Sequence, residues 1–245
     1  MAAVGLESDP LLGKPLANYP SDRIRALFIA AIIGGIAALI LNFTVAAISE
    51  WWAPPLTVIL MSGLALGMGW YILHIWNREI ILYERGFTYQ EGSNTAPFHY
   101  EEIVAIRLHA ERLRYFGGLI RRNRYRYRVV VRNGDVMIIN GDWYKRAGEL
   151  GTKLSEQVNA LLIPRLQAAF DQGDSLAFGD QLSATREGLN ADNSTLIWGQ
   201  FSGYTLSGGQ LVIRDQQGEI WFSQPLGEID NITMLIAILR ERLTS

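Results

Sequence analysis

The densest run of chemically capable side chains lies between Arg112 and Arg132. Eight arginines (112, 114, 121, 122, 124, 126, 128 and 132) occur there without one acid. Guanidinium groups grip carboxylates and phosphates through paired N–H donors, so the run is a candidate surface for anionic headgroups or an acidic partner. Along Arg122-Asn123-Arg124-Tyr125-Arg126-Tyr127-Arg128 every second residue is an arginine. In a strand this spacing sets Arg122, Arg124, Arg126 and Arg128 on one face and Tyr125, Tyr127 and Val129 on the other. Tyr115-Phe116-Gly117-Gly118-Leu119-Ile120 forms an apolar tip between Arg112 and Arg114 on one side and Arg121 and Arg122 on the other. A tip of that kind suits insertion into an anionic leaflet, where each basic residue contributes about 1 kcal/mol. Two other readings fit the same row: a charged edge that deters aggregation, and a docking face for an acidic part of the same chain.

No other grouping has the spacing of a reactive centre. The absence of cysteine excludes disulfides, thiolate metal sites and a Cys nucleophile. His74, His99 and His109 lack metal-ligand spacing. His109 and Glu111 would share a strand face, but no third ligand or nucleophile accompanies them. Glu101 and Glu102 adjoin on an expected strand and so point to opposite faces, a poor acid–base pair. Gly203 with Gly208-Gly209 precedes no helix and is no dinucleotide fingerprint. The expectation is a non-enzymatic protein with no cofactor. Interleaved Arg and Tyr are compatible with nucleic acid, but a membrane tether argues against it.

The tether is an apolar pair of segments. Residues 26–49 and 56–76 carry no charge, and each is long enough to cross about 30 Å of hydrocarbon as a helix. The first is too long for a cleaved signal segment and is preceded by acids and prolines. The connection Glu50-Trp51-Trp52-Ala53-Pro54-Pro55 allows only an antiparallel turn and holds no Lys or Arg. Lys14, Arg23, Arg25, Arg78 and Arg85 flank the outer ends, so both termini are expected in the cytoplasm. Gly34, Gly35 and the Gly63-x-x-x-Gly67 pair let helix backbones approach closely, either each other or a further membrane protein or second copy. His74, near the end of the second span, is the one weak candidate ligand, of the kind that binds haem or chlorophyll. Residues 1–22, with Pro10, Pro15 and Pro20, read as an irregular arm.

From Glu79 onward the texture is short β runs, then a helix, and then the same again. Glu84-Arg85-Gly86-Phe87 is echoed by Arg186-Glu187-Gly188-Leu189. Phe98 to Ile103 is echoed by Leu196 to Phe201. Val129-Val130-Val131-Arg132 and Asn133-Gly134 are echoed by Leu211-Val212-Ile213-Arg214 and Gln217-Gly218. A helical pattern covers 143–170, where Pro164 is expected to kink or break it. Matched on these pairs, the first copy carries about 16 extra residues around 110–124. Residues 78–172 hold 15 Lys/Arg against 11 Asp/Glu, and residues 173–245 hold 4 against 9.

Antiparallel strands followed by one helix is the plan of the pleckstrin-homology (PH-like) superfold. On Leu82-Tyr83-Glu84-Arg85-Gly86-Phe87, Tyr100-Glu101-Glu102-Ile103, Leu162-Ile163-Pro164, Phe178-Gly179 and Gly188-Leu189 with Trp198, the chain resembles bacterial membrane-anchored PH-like proteins, a group largely without assigned function. The expected fold is a membrane α-helical hairpin plus α+β, with two tandem PH-like domains. The expected divisions are an arm at 1–22, the hairpin at 23–77, a first PH-like domain with a basic insertion at 78–172, and a second at 173–245. The resemblance implies an inner-membrane address and hands over no catalytic residue. The expected function is binding or scaffolding through the Arg-rich insertion. The alternative is an accessory subunit of a larger membrane complex.

Overall fold

The computed structural model describes residues 8–48, 50–115, 120–191 and 194–244, with the side chains of 111–123 outside the description. The chain divides into two compact units, residues 1–98 with 143–145, and residues 99–142 with 146–245.

In the first unit, β1 (Pro15–Pro20) leads into α1 (Arg23–Ala47). Then α2 (Ala53–Trp76) leads into β2 (Arg78–Tyr83), followed by β3 (Gly86–Glu91) and β4 (Asn94–His99). The four strands form one sheet in the order β1-β2-β3-β4, with β1 antiparallel to β2. Residues 15–20 are thus an edge strand, not part of an irregular arm. Pro15 and Pro20 stand only at its ends, where a missing N–H costs least. Both helices are long and apolar enough to cross a membrane. Phe28, Phe43, Leu66 and Leu73 are exposed along them. None of the most apolar stretch of α2 is buried, whereas the core helix of a soluble protein would be covered.

The junction of helices and sheet is tightly bonded. Arg78 is 2% exposed. Its guanidinium lies over the Trp143 ring at 3.8 Å, donates to the His74 carbonyl (3.2 Å) and Tyr89 Oη (3.3 Å), and pairs with Glu91. Trp76 O accepts from Ser21 Oγ and Arg23 Nε, each at 3.2 Å. The returning segment 143–145 closes the corner: Asp22 N–H donates to Trp143 O (2.8 Å) and Lys145 N–H to Pro20 O (3.1 Å).

In the second unit, β5 (Ile103–Tyr115), β6 (Ile120–Val131) and β7 (Val136–Asn140) form a sheet in chain order, followed by α3 (Ala147–Gln172). Tyr127 and Val129 are buried under α3. Gly151 lets the helix approach, since a Cβ there would overlap the Tyr127 ring. Pro164 lies inside α3 without ending it. One ladder bond is lost, but buried Leu162 and Phe170 hold the helix on either side of it.

The plan then repeats. β8 (Leu176–Ala177), β9 (Leu182–Ala184), β10 (Gly188–Ala191) and β11 (Ser194–Ile197) form a four-stranded sheet. β12 (Phe201–Ser207), β13 (Gln210–Asp215) and β14 (Ile220–Pro225) form a three-stranded one, and α4 (Ile232–Thr244) follows. One core holds Leu182 and Leu189 of the first sheet, Leu211 and Phe222 of the second, Leu235 and Ile238 of α4, and Phe170 of α3.

Backbone details align the copies residue by residue. The register shift at Ile103/Ala105 recurs at Phe201/Gly203. The non-glycine residues with positive φ among those described, Arg146 (57°) and Asn231 (51°), sit at the starts of α3 and α4. The Lys145-to-Pro20 bond has a near counterpart, one residue earlier on the strand, in Asp230 N–H to Phe178 O, also 3.1 Å. Strand register matches Tyr19 with Phe178 and Ile80 with Leu182, so residues 20–79, which contain the whole apolar hairpin, stand where the second copy has only residues 179–181. The sequence match of Val129 with Leu211 is two residues out, because register pairs Ile106 with Val129 and Tyr204 with Ile213. A two-residue slip keeps every side chain on its own face and leaves no trace in the apolar pattern. The insertion is residues 110–125, standing in place of Gly208 and Gly209.

Burial raises the phenols of Tyr89, Tyr127 and Tyr144 above their ordinary value of 10.0. All three should stay protonated in a spectrophotometric titration through pH 10 and ionise only on unfolding. The folded state holds these protons longer, so stability should be flat below about pH 10 and fall as pH rises above it.

Candidate functional site

The β5–β6 hairpin is the distinctive feature of the second unit. Its strands are 13 and 12 residues long, against 7 and 6 for β12 and β13. β7 pairs as far as Arg126↔Asn140. Beyond that, β5 and β6 continue alone through six pairs, from Ala110↔Tyr125 to Tyr115↔Ile120. Six pairs extend a two-stranded ribbon by about 20 Å. Arg112, Arg114, Tyr115, Arg121 and Arg122 lie on this ribbon with side chains outside the description, and Phe116 lies outside the described residues.

At the base of the ribbon the arginines divide into matched and unmatched. Register sets Arg107 directly opposite Arg128, two like charges across a ladder. Asp230, from the turn before α4, resolves the conflict. Its carboxylate accepts from Arg107 Nε (2.8 Å) and Nη2 (3.0 Å) and from Arg128 Nη1 (3.3 Å). The Asp230 side chain is 11% exposed and that of Arg107 17%. Arg124 Nε lies 3.2 Å from Asp142 Oδ2. Arg126, between them, is exposed. The row Arg124, Arg126, Arg128 is therefore partly consumed within the chain.

Asn231 completes the hook. Its N–H donates to Ile106 O (2.9 Å), its Oδ1 accepts from Ile106 N–H (3.0 Å), and its Nδ2 donates to Val104 O (3.3 Å). The outer edge of β5 is thus satisfied by the second copy. Asp230 and Asn231 escape sequence reasoning, since Asn231 reads only as part of a sequon-like Asn-Ile-Thr. An Asn at a helix start, where the left-handed backbone is tolerated, is the one local signal.

The remaining candidate residues are placed as follows. At Gly34 a Cβ would meet Met68, while at Gly35, Gly63 and Gly67 nothing lies within 4 Å. Gly63 and Gly67 line an apolar groove between α1 and α2 with Ala30, Ile33, Met68 and Tyr71. His74 Nε2 lies 2.5 Å from Arg78 Nη2, and its ring stacks on Trp70 at 5.3 Å. His109 packs against Gly227. Glu101 and Glu102, expected on a strand, lie on the 3-10 turn Tyr100–Glu102, exposed. Among the described residues no three His, Asp or Glu side chains group as metal ligands.

Asp230→Ala should leave Arg107 and Arg128 facing each other uncompensated and lower stability by about 2–4 kcal/mol. Arg126→Ala, on an exposed site, should change it by less than about 0.5 kcal/mol. Urea unfolding of the two variants in one detergent distinguishes them.

No curated protein matches the chain. The model of a family of unknown function, DUF6585, matches residues 6–245, and the chain belongs to that family.

Proposed function

We propose that this chain is a membrane-anchored, non-enzymatic binding module with two PH-like repeats, which engages anionic lipid headgroups through the outer part of its β5–β6 ribbon. The observation that carries the reading is the ribbon itself, a two-stranded arginine-rich extension absent from the second copy of the same plan. Arg107, Arg124 and Arg128 are matched by carboxylates. The charges we assign to a ligand are the ribbon's Arg112, Arg114, Arg121 and Arg122, with the exposed Arg126 at its base. Five basic residues at an anionic surface contribute about 5 kcal/mol, enough to dock a segment of an anchored chain, and salt weakens the attraction. The PH-like assignment is supported by the twice-repeated order of four-stranded sheet, three-stranded sheet and helix. Cytoplasmic termini are supported by the basic residues at the outer ends of the hairpin, and an inner-membrane address by the resemblance to bacterial anchored proteins.

A second reading, an accessory subunit of a larger membrane complex, is favoured by the groove at Gly63 and Gly67. Its volume is about 480 Å³, and it is open for a further helix to approach.

Full-length protein in phosphatidylcholine nanodiscs, with and without phosphatidylglycerol, is compared by hydrogen exchange. Protection of residues 110–125 is expected only in anionic discs, and should be lost at high salt and in a variant with Arg112, Arg114, Arg121, Arg122 and Arg126 changed to Gln. Equal exchange in both discs would overturn the lipid reading. A protein partner retained at unit stoichiometry in mild detergent would then favour the subunit.

A further inference from the structure

A second group of arginines lies apart from the ribbon, at the other end of β6. Arg165 of α3 donates to Glu101 O (2.8 Å) and Ile103 O (2.5 Å). Arg132 Nη2 approaches the same Glu101 O at 3.5 Å, while its backbone N–H donates to Glu102 O (2.8 Å). Two guanidinium groups therefore converge on one carbonyl oxygen. Among the described residues, neither has a carboxylate in ion-pairing range. Burial, and after it the Arg132 charge, push the Arg165 guanidinium below its ordinary value.

The second copy holds the equivalent of the Glu101 carbonyl without a charge. Register makes Gln216 the counterpart of Arg132 and Gly199 that of Glu101, and Gln216 Nε2 donates to Gly199 O. A neutral amide thus holds the equivalent carbonyl. The first copy thus sets two cations on a carbonyl that the second copy holds with a neutral amide. Beside Arg132 opens a cavity of about 350 Å³ lined by Glu102, Val131, Arg132 and Asn133.

We propose that Arg132 and Arg165 form a binding site for a phosphate group, carried by a soluble phosphate compound or by a lipid headgroup. A phosphate oxygen pair would take the guanidinium N–H groups left over from the carbonyls and neutralise the two facing charges. The site is independent of the ribbon, since neither arginine belongs to residues 110–125.

Full-length protein in phosphatidylcholine nanodiscs is titrated calorimetrically with inorganic phosphate in a chloride background. The comparison variant is Arg132→Gln, which borrows the second copy's own amide and so keeps the Glu101 carbonyl held. Saturable binding, weakened about tenfold or more in the variant, is expected. Hydrogen exchange distinguishes the sources. Protection of residues 131–135 by free phosphate marks a soluble ligand, and protection only when phosphatidylglycerol is added to the discs marks a headgroup. The proposal is overturned if neither probe gives a saturable change, or if Arg132→Gln binds as tightly as the parent.

Discussion

The antiparallel pairing of β1 with β2 is the constraint on which the rest of this architecture depends. The apolar hairpin leaves the sheet at Pro20 and returns at Arg78, and Pro20 stands opposite Glu79 in the ladder. The two helices must therefore begin and end side by side. A bilayer crossed by both helices would leave both ends of the hairpin on one side. Arg78 holds that corner. Its charge is buried, so it must be paired and hydrogen-bonded to be tolerated. Glu91, Tyr89, the His74 carbonyl and the Trp143 ring together meet the requirement. One residue thus joins the last turn of α2, two strands and the returning segment 143–145.

Inserting a hairpin into a strand connection asks little of the host sheet. The second copy makes the same connection with residues 179–181, and Asp230 N–H to Phe178 O closes it much as Lys145 N–H to Pro20 O closes the first, one residue apart on the strand. The ends of β1 and β2 are already adjacent, so loop length costs only slowly growing closure entropy. The ribbon at 110–125 is an insertion of the same kind, replacing the Gly208-Gly209 turn. Both departures of the first copy from the second are lengthened connections, and the two plans otherwise correspond strand for strand.

Charge in the second unit is used in two distinct ways. Where arginines face each other near the core, as Arg107 and Arg128 do, an acid from the second copy is set between them and the whole group is withdrawn from water. Beside the Glu101 carbonyl, no acid among the described residues takes up Arg132 or Arg165. Counting arginines along the sequence does not separate these cases. The two apolar helices are legible because hydropathy is local, and the repeated order of strands is legible because Gly86 and Gly188 mark corresponding turns. β1 is hidden because prolines bracket it. The two-residue slip between Val129 and Ile213 is hidden because strand periodicity cannot register it. The Asp230–Asn231 hook is hidden because its partners, Arg107 and Ile106, are more than a hundred residues away.

That the ribbon meets the membrane surface is tested most directly by depth. The chain contains no cysteine, so Asn123→Cys offers a single labelling position on the ribbon of the full-length protein. A fluorophore there, in nanodiscs whose phosphatidylglycerol carries brominated acyl chains, should be quenched, and the quenching should vanish when the brominated lipid is phosphatidylcholine alone. Fluorescence unaffected by bromine in the anionic discs would contradict a ribbon seated on the leaflet.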